Sequence, residues 1–190
     1  MPEIENVALF DMDGTLCDFD LGLLGELKKL SSPNEPEVVL PIKDDAPDWL
    51  RARANLIRTP SSWWENLPRF QLGFDIWALA EELDYRRVIL TQGPRKHPDA
   101  WSGKKRWIDA NLGEDTDMII TRDKGLVYGK VLVDDFPGYV ARWLEWRPRG
   151  LAIMPANEGN KTYSHPQVIR YNGENLEEVR SAMQEIKLRK

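Results

Sequence analysis

The sequence predicts an α/β fold in which a parallel sheet is flanked by helices. Short apolar runs, of the length typical of buried parallel strands, alternate along the chain with segments whose apolar residues recur at helical spacing. Such alternation is typical of β-α-β units, which build parallel sheets. A length of 190 residues with 42% hydrophobic residues indicates one principal domain that carries a small insert.

Five strands are predicted from the short runs in which apolar residues predominate. They are residues 4–10, 86–91, 118–121, 130–133 and 151–154. Helices are predicted between and after them, at residues 75–83, 103–112 and 139–146. A last helix begins at Asn175, the predicted N-cap, with Glu178 at the capping-box position and a stripe of apolar residues at helical spacing.

The segment from residue 17 to residue 70 interrupts this alternation. It contains six prolines and helical pieces near residues 21–30 and 47–57, and it is too long for a single crossover connection. We therefore predict that residues 17–70 form a small, mainly helical cap inserted after the first strand, and that residues 1–16 and 71–190 form the core. Ligands in open α/β sheets bind at the carboxyl edge, so the cap is expected over that edge.

Charge and composition exclude several classes of function. A net charge of −5 argues against binding to duplex nucleic acid, which needs a basic surface. No apolar run is long enough for a membrane span, and the segment from Met1 lacks a signal-peptide pattern. Cys17 is the only cysteine, so no internal disulfide can form. These features predict a cytoplasmic protein without a membrane partner. They are compatible with a small anionic substrate, because an acidic protein can still carry a locally positive pocket.

Four polar features follow predicted strands directly or lie just beyond them. Phosphoryl transfer requires carboxylates that bind Mg²⁺ and a carboxylate that attacks phosphorus. It also requires an acid for the leaving oxygen, and a hydroxyl and a lysine for the phosphate oxygens. Each feature alone fits an ordinary turn or surface residue, so the prediction depends on their shared position at one sheet edge. The four features are Asp11-Met12-Asp13-Gly14-Thr15, Thr91, Lys124 and Asp134-Asp135.

Other binding motifs do not fit. An EF-hand counted from Asp11 would need glycine and glutamate at the positions of Leu16 and Gly22. A P-loop would need glycine at the position of Pro98. The sequence has no Cys/His set for zinc and no Gly-x-Ser-x-Gly motif.

These motifs resemble the haloacid dehalogenase (HAD) superfamily of phosphatases, and within it the 5′(3′)-deoxyribonucleotidase family. That family has a similar Asp-Met-Asp-Gly start, followed shortly by Asp-Phe, here Asp18-Phe19. It also has a Thr-Arg-Asp-Lys stretch ten residues before paired aspartates, here ending at Lys124, and a preceding Lys-x-x-Trp helix, here Lys104 to Trp107. The resemblance covers about residues 4–137 and implies a HAD-like, Rossmann-like core.

The resemblance implies roles for the matched residues. Asp11 would be the nucleophile, Asp13 the general acid and base, and Thr91 and Lys124 would hold the phosphate. Mg²⁺ would be bound by three groups with Asp134 in support: the Asp11 side chain, the Asp13 backbone carbonyl and the Asp135 side chain.

The resemblance leaves the second phosphate donor and the substrate pocket open. Thr91 is followed by Gln92-Gly93-Pro94, where the family pattern has a small hydroxyl residue and then proline, so the Gln92 side chain or the Gly93 amide would serve instead. Lys104 would guide phosphate, or would lie on a solvated helix face. The aromatic candidates would stack on a base or sugar, or would pack the cap against the core. These candidates are Phe19, Trp63 and Trp64.

The implied function is Mg²⁺-dependent hydrolysis of (deoxy)ribonucleoside monophosphates. Two alternatives are the same chemistry on another small phosphomonoester, such as a sugar phosphate, and a catalytically silent nucleotide-binding module. The presence of both Asp11 and Asp13 argues against a silent site. The preferred base, the position of the phosphate and the oligomeric state, including a homodimer, are left open by the sequence.

Overall fold

The computed structural model describes residues 6–42, 45–95 and 97–189. These residues form two units. The sheet unit comprises the described residues within Met1–Cys17, Arg69–Gln92 and Thr116–Lys190, and the helical unit those within Asp18–Pro68 and Gly93–Asp115. Among the described residues, no helix combines the length and the apolar character needed to cross a membrane.

The strands of the sheet unit form one parallel sheet in the order β3-β2-β1-β4-β5-β6. They are β1 (Val7–Phe10), β2 (Arg86–Thr91), β3 (Met118–Ile120), β4 (Val131–Val133), β5 (Leu151–Pro155) and β6 (Val168–Tyr171). The five predicted strands are confirmed to within a few residues, although the start of the first, at Ile4 and Glu5, lies outside the described residues. The sixth strand was not predicted, because three of its four residues are only partly buried and Arg170 interrupts its apolar run.

Helices lie between and after these strands in the chain. They are α1 (Phe19–Lys29), α2 (Asp48–Ile57), α3 (Ser61–Glu65), α4 (Gln71–Glu82), α5 (Asp99–Leu112), α6 (Pro137–Trp146) and α7 (Leu176–Leu188), with short 3₁₀ turns at Lys124–Leu126 and Glu158–Asn160. Asn175 is the N-cap residue of α7, but the predicted capping box is wrong. The side-chain oxygen of Asn175 accepts from the Asn172 N–H at 3.1 Å, and its amide donates to Glu178 at 2.8 Å, so neither group caps the helix.

The core of the sheet unit lies around its central strands. Every residue of β1, β4 and β5 is buried, as expected for parallel strands covered on both faces. Trp143 and Val140 of α6 are fully buried against Leu9 of β1 and Leu132 of β4. This packing holds the carboxyl ends of the central strands in fixed register.

The helical unit contains α1, α2, α3 and α5. Helix α5 falls within the range 71–190 that was predicted as the core, but it groups with α3. The contact is close: a Cβ on Gly103 would lie 2.3 Å from the carbonyl oxygen of Ser61 and 2.8 Å from the Cβ of Trp64. The indole N–H of Trp107, which is fully buried, donates to the carbonyl of Leu67 at 2.7 Å. The predicted core range therefore differs from the sheet unit at residues 93–115.

Candidate active site

The candidate site lies where the direction of strand order reverses. From β1 the chain builds outward through β2 and β3, and it returns to the other side of β1 with β4, β5 and β6. Ligands in open α/β sheets bind at the carboxyl end of such a switch point. Because Phe10 pairs with Val133, the next residues, Asp11 and Asp134, leave adjacent strands at the same edge. The Asp11 N–H donates to Val133 O at 2.9 Å, which continues that pairing into the site.

Lys124 lies between these two carboxylates. Its Nζ is 2.8 Å from Asp11 Oδ1 and 2.5 Å from Asp134 Oδ2, and all three side chains are buried. Burial by itself would lower the pKa of Lys124, but the charges of Asp11 and Asp134 outweigh it and raise the pKa above its usual range. The lysine therefore stays cationic and offsets part of the negative charge at the site.

The paired aspartates carry more negative charge than this one lysine offsets. Burial is the main cause that raises the pKa of Asp134 to about 6; Lys124 counteracts this shift and the charge of Asp11 adds to it. Burial also raises the pKa of Asp135 well above its usual range, helped by the charges of Asp134 and Asp11. Each shift shows that the site, as folded, favours additional positive charge.

A divalent cation fits this group of carboxylates. Asp11, Asp134 and Asp135 each offer a carboxylate oxygen, and these oxygens lie within 4.8 Å of one another. A set made only of oxygen ligands suits Mg²⁺ in preference to softer metals. The predicted contribution of Asp13 is its backbone carbonyl, and its carboxylate is not part of this group.

The turn that follows β1 is shaped around Asp135. Gly14 has a φ of +74°, and a Cβ at this residue would lie 2.4 Å from Asp135 Oδ2, so the turn requires glycine. The fully buried Thr15 hydroxyl accepts from the Asp135 N–H at 3.2 Å and lies 3.4 Å from Asp135 Oδ1. Asp13, between these contacts and Asp11, is half-buried. The turn therefore fixes the Asp135 carboxylate from one side.

Two asparagines after β5 fix the same aspartate from the other side. Asn157 Nδ2 donates to Asp135 Oδ2 at 2.7 Å, and Asn160 Nδ2 donates to the Asp135 carbonyl at 3.1 Å. The two side chains also accept from each other's backbone N–H, at 3.1 and 3.0 Å, and Arg170 Nε donates to Asn160 Oδ1 at 2.9 Å. Sequence reasoning missed this pair, although an Asn-x-x-Asn directly after a predicted strand was a visible signal.

Thr91 and Gln92 complete the sheet-unit part of the site. Thr91 ends β2 and is fully buried, and Gln92 follows it. The Gln92 side-chain oxygen accepts a hydrogen bond from the Tyr139 hydroxyl of α6. The Tyr139 ring centroid lies 4.7 Å from Lys124 Nζ, so Tyr139 contacts two of the predicted phosphate-binding side chains, Gln92 and Lys124. No local sequence signal marked Tyr139 for this position.

The predicted substrate-binding aromatics form one cluster in the helical unit. Ring centroids are 5.3 Å apart for Phe19 and Trp63, 5.9 Å for Phe19 and Trp64, and 4.9 Å for Trp63 and Trp64. Trp64 is buried and its indole N–H donates to Arg58 O at 2.8 Å, an arrangement typical of packing. Phe19 and Trp63 are only partly buried.

Lys104 does not lie on a solvated face. It is fully buried, and its Nζ is 5.1 Å from the centroid of the Trp64 ring. Gly93 is also in the helical unit, where a Cβ would lie 2.2 Å from the Trp101 ring.

The predicted site residues therefore fall into two sets. The structure brings together in the sheet unit Asp11, Asp13, Thr91, Gln92, Lys124, Asp134 and Asp135. The helical unit contains Phe19, Trp63, Trp64, Gly93 and Lys104.

Comparison with known proteins identifies relatives of the chain. No protein-family model matches it. A Bordetella pertussis protein named "Putative 5′(3′)-deoxyribonucleotidase" is 30% identical over 140 residues, which cover 69% of this chain and 74% of that protein. The human "5′(3′)-deoxyribonucleotidase, cytosolic type" is 32% identical over 141 residues, which cover 67% of this chain and 69% of that protein. The chain belongs to the 5′(3′)-deoxyribonucleotidase family.

Solved structures agree with this family at the level of the fold. A HAD hydrolase of family IA, variant 3, from Entamoeba histolytica matches with a TM-score of 0.52 and 15% identity over 94% of this chain and 99% of that one. A HAD-hydrolase from Bacillus subtilis, YfnB, described as bound to magnesium, matches with a TM-score of 0.52 and 12% identity over 95% and 99% of the two chains. The predicted HAD-like fold is confirmed, and so is the prediction that this family member is an enzyme of the phosphatase type.

Proposed function

We propose that the chain is a Mg²⁺-dependent phosphatase that hydrolyses nucleoside monophosphates through a phosphorylated Asp11. The observation that carries the proposal is the buried cluster at the switch point: Lys124 within 2.8 Å of Asp11, and three carboxylates whose oxygens lie within 4.8 Å of one another. A carboxylate nucleophile, oxygen ligands for a hard cation and a fixed ammonium are the groups that phosphoryl transfer through an acyl phosphate requires.

The first half-reaction moves the phosphoryl group to the protein. An Asp11 carboxylate oxygen attacks phosphorus, and the bond between phosphorus and the ester oxygen breaks. Asp13 donates a proton to the departing oxygen, which leaves as an alcohol. The half-buried position of Asp13, two residues after Asp11 on a tight turn, supports this role.

The second half-reaction restores the protein. Asp13, now a carboxylate, takes a proton from water as the water oxygen attacks the phosphorus of the Asp11 acyl phosphate. The bond between phosphorus and the Asp11 oxygen breaks, which releases inorganic phosphate. Asp11 returns as a carboxylate, so no other reagent is consumed.

The remaining sheet-unit residues would stabilise the negative charge that develops on the phosphate oxygens. Lys124 supplies a fixed positive charge, and Thr91 and Gln92 supply hydrogen-bond donors at the end of β2. Asp11, Asp134 and Asp135, together with the Asp13 carbonyl, would hold Mg²⁺. When bound, the cation would offset the charge of the phosphate that the Asp11 carboxylate approaches.

The nucleotide part of the proposal has separate support. Both relatives described above are named for deoxyribonucleotides. The partly buried rings of Phe19 and Trp63 provide aromatic surface suited to a base or sugar. A cytoplasmic location is part of the same proposal, because the human relative is named as the cytosolic type and the lone Cys17 needs no oxidising compartment.

A release assay across a panel of deoxynucleoside, ribonucleoside and sugar phosphates, with Mg²⁺ and with EDTA, tests the proposal. Asp11→Asn should reduce turnover by at least about a thousandfold and leave no phosphoenzyme to trap, while retaining the fold. Asp117→Asn, which removes a partly exposed carboxylate paired with Arg86, is the matched control and should be near wild type.

The outcomes separate the parts of the proposal. Wild-type turnover in Asp11→Asn would contradict the nucleophile, and full activity after exhaustive chelation would contradict the metal. Faster release from a sugar phosphate than from any nucleotide would contradict the substrate class while leaving the chemistry in place.

A further inference from the structure

A second pocket lies at the opposite, amino-terminal edge of the same sheet. We name it the amino-edge pocket, because Lys130 and Gly150 in its wall directly precede β4 and β5. Its volume is about 230 Å³, smaller than the roughly 300–1,000 Å³ typical of pockets for drug-sized ligands. None of its lining residues belongs to the proposed phosphatase site, so a ligand could bind here whether or not that site is active.

The lining of the amino-edge pocket is cationic and apolar. Lys130, Arg147, Arg149 and Arg189 line it, and none of the described lining residues is acidic. The other lining residues are aromatic rings, glycines, a proline and an isoleucine. On a chain with a net charge of −5, such a local excess of positive charge favours an anionic ligand.

One of these cations has a donor left without a partner. Arg147 Nε is buried and has no hydrogen-bond partner among the described residues, whereas its Nη1 donates to the Trp146 carbonyl at 2.9 Å. Buried polar groups are nearly always hydrogen-bonded, so a bare guanidinium donor beside a pocket indicates an acceptor that the described residues do not supply. Arginine is also the side chain best suited to carboxylate and phosphate groups.

Two large aromatic side chains border the same pocket and remain accessible. Tyr128 is 44% exposed and Trp146 is 56% exposed. The Arg147 guanidinium carbon lies 5.9 Å from the centre of the Tyr128 ring, so the orphaned donor and an exposed ring belong to one surface. Exposed rings bind planar groups by stacking, and the neighbouring arginines bind anions by charge.

We propose that the amino-edge pocket binds a small planar anion, an aromatic ring that carries a carboxylate or phosphate. The ring contacts Trp146 and Tyr128, and the anionic group accepts from Arg147, with Lys130 and Arg149 adding positive charge. The volume of about 230 Å³ suits a single ring system with its charged group.

Calorimetric titration of the full chain in EDTA tests this site with four probes: benzoate, phenyl phosphate, phenol and inorganic phosphate. We expect benzoate or phenyl phosphate to bind more tightly than the uncharged or ring-free probes. Benzoate binding alone would assign the carboxylate source, and phenyl phosphate binding alone the phosphate source. Trp146→Ala and Arg147→Gln should each weaken that binding at least tenfold, and Asp11→Asn should leave it unchanged.

Matched variants outside the pocket control for loss of a ring or a charge. Trp49 resembles Trp146 in its surroundings: it is 40% exposed, and the Arg53 guanidinium carbon lies 4.9 Å from its ring centre. The corresponding distance from Arg142 to Trp146 is 5.4 Å. Trp49→Ala should therefore bind the ligand as tightly as wild type. Arg51→Gln removes an exposed guanidinium elsewhere and should also have no effect.

Three results would overturn the proposal. One is no binding of either aromatic anion at millimolar concentration, and another is equal binding by the pocket variants and the controls. The third is binding that is lost in Asp11→Asn, which would place the ligand in the phosphatase site. Trp146 is exposed, so Trp146→Ala should fold normally. This variant therefore tests the pocket even if Arg147→Gln fails to fold.

Discussion

Replacing Lys124 with methionine should destabilise the protein strongly, although the substitution keeps most of the side-chain volume. The Lys124 ammonium lies 2.8 Å from Asp11 and 2.5 Å from Asp134, and all three groups are buried. Removing one partner of a buried ion pair typically costs about 3–5 kcal/mol, because the remaining charge is uncompensated. In a chain of this length, that loss corresponds to a fall in Tm of roughly 6–20 °C near neutral pH.

Urea unfolding and thermal melts in EDTA measure this loss. The matched control is Lys105→Met, which removes an exposed lysine paired with Asp109 and should cost at most about 1 kcal/mol. The double variant Lys124→Met/Asp134→Asn should be more stable than Lys124→Met alone, because it removes one of the two uncompensated carboxylates.

Two results would refute this reasoning about charge. One is a loss for Lys124→Met no larger than that for Lys105→Met. The other is a double variant whose loss of stability equals the sum of the losses of its two single variants. If an uncompensated carboxylate causes the loss in Lys124→Met, adding Asp134→Asn must recover part of that stability.

Three further predictions concern single positions. Gly14→Ala should lower both Tm and turnover, because the φ of Gly14 is +74° and a Cβ would lie 2.4 Å from Asp135. Gly113→Ala is the control for backbone strain alone, because Gly113 has a φ of +105° and open space around it. Asn157→Ala should weaken Mg²⁺ binding about 10–100-fold in a Mg²⁺ titration of Tm, since it frees the Asp135 carboxylate; an unchanged titration would contradict this role. Burial raises the pKa of Tyr171 to about 12 from about 10, so the folded state holds this proton more tightly. Its contribution to stability is therefore complete below about pH 10 and lost as pH rises toward 12, and Tyr171→Phe should lack that part of the alkaline loss in urea unfolding.

The elements that could be predicted from the sequence are those with a strong local pattern. Buried central strands are short apolar runs whatever surrounds them, so their positions followed from composition. Strand β6, at the edge of the sheet and only partly buried, lacks that pattern, and the five residues of α3 are too few to show helical periodicity. The grouping of α5 with α3 depends on the approach of Gly103 to Ser61, a contact between residues far apart in the chain.

The same distinction applies to the candidate site. Asp11, Lys124 and Asp134 could be placed together because each follows a predicted parallel strand directly or by a few residues, and such strands end at one edge. Asn157 carried only one signal, its Asn-x-x-Asn shortly after a predicted strand, and Tyr139 carried none, because their positions depend on hydrogen bonds to Asp135 and Gln92. Those bonds depend on loop and helix geometry that no periodic pattern records.

The division of the candidate residues between two units bears on how substrate choice can change in this family. Every group proposed to act on phosphorus lies in the sheet unit, within a few residues of a strand end, where strand register fixes it. The aromatic cluster lies in the helical unit, most of which is one insert, Asp18–Pro68. An insert can vary in length and composition without altering the pairing of β1 with β2 or β4. On the proposed function, a change in the insert can therefore alter which ester is accepted while the phosphoryl-transfer residues of the sheet unit stay the same.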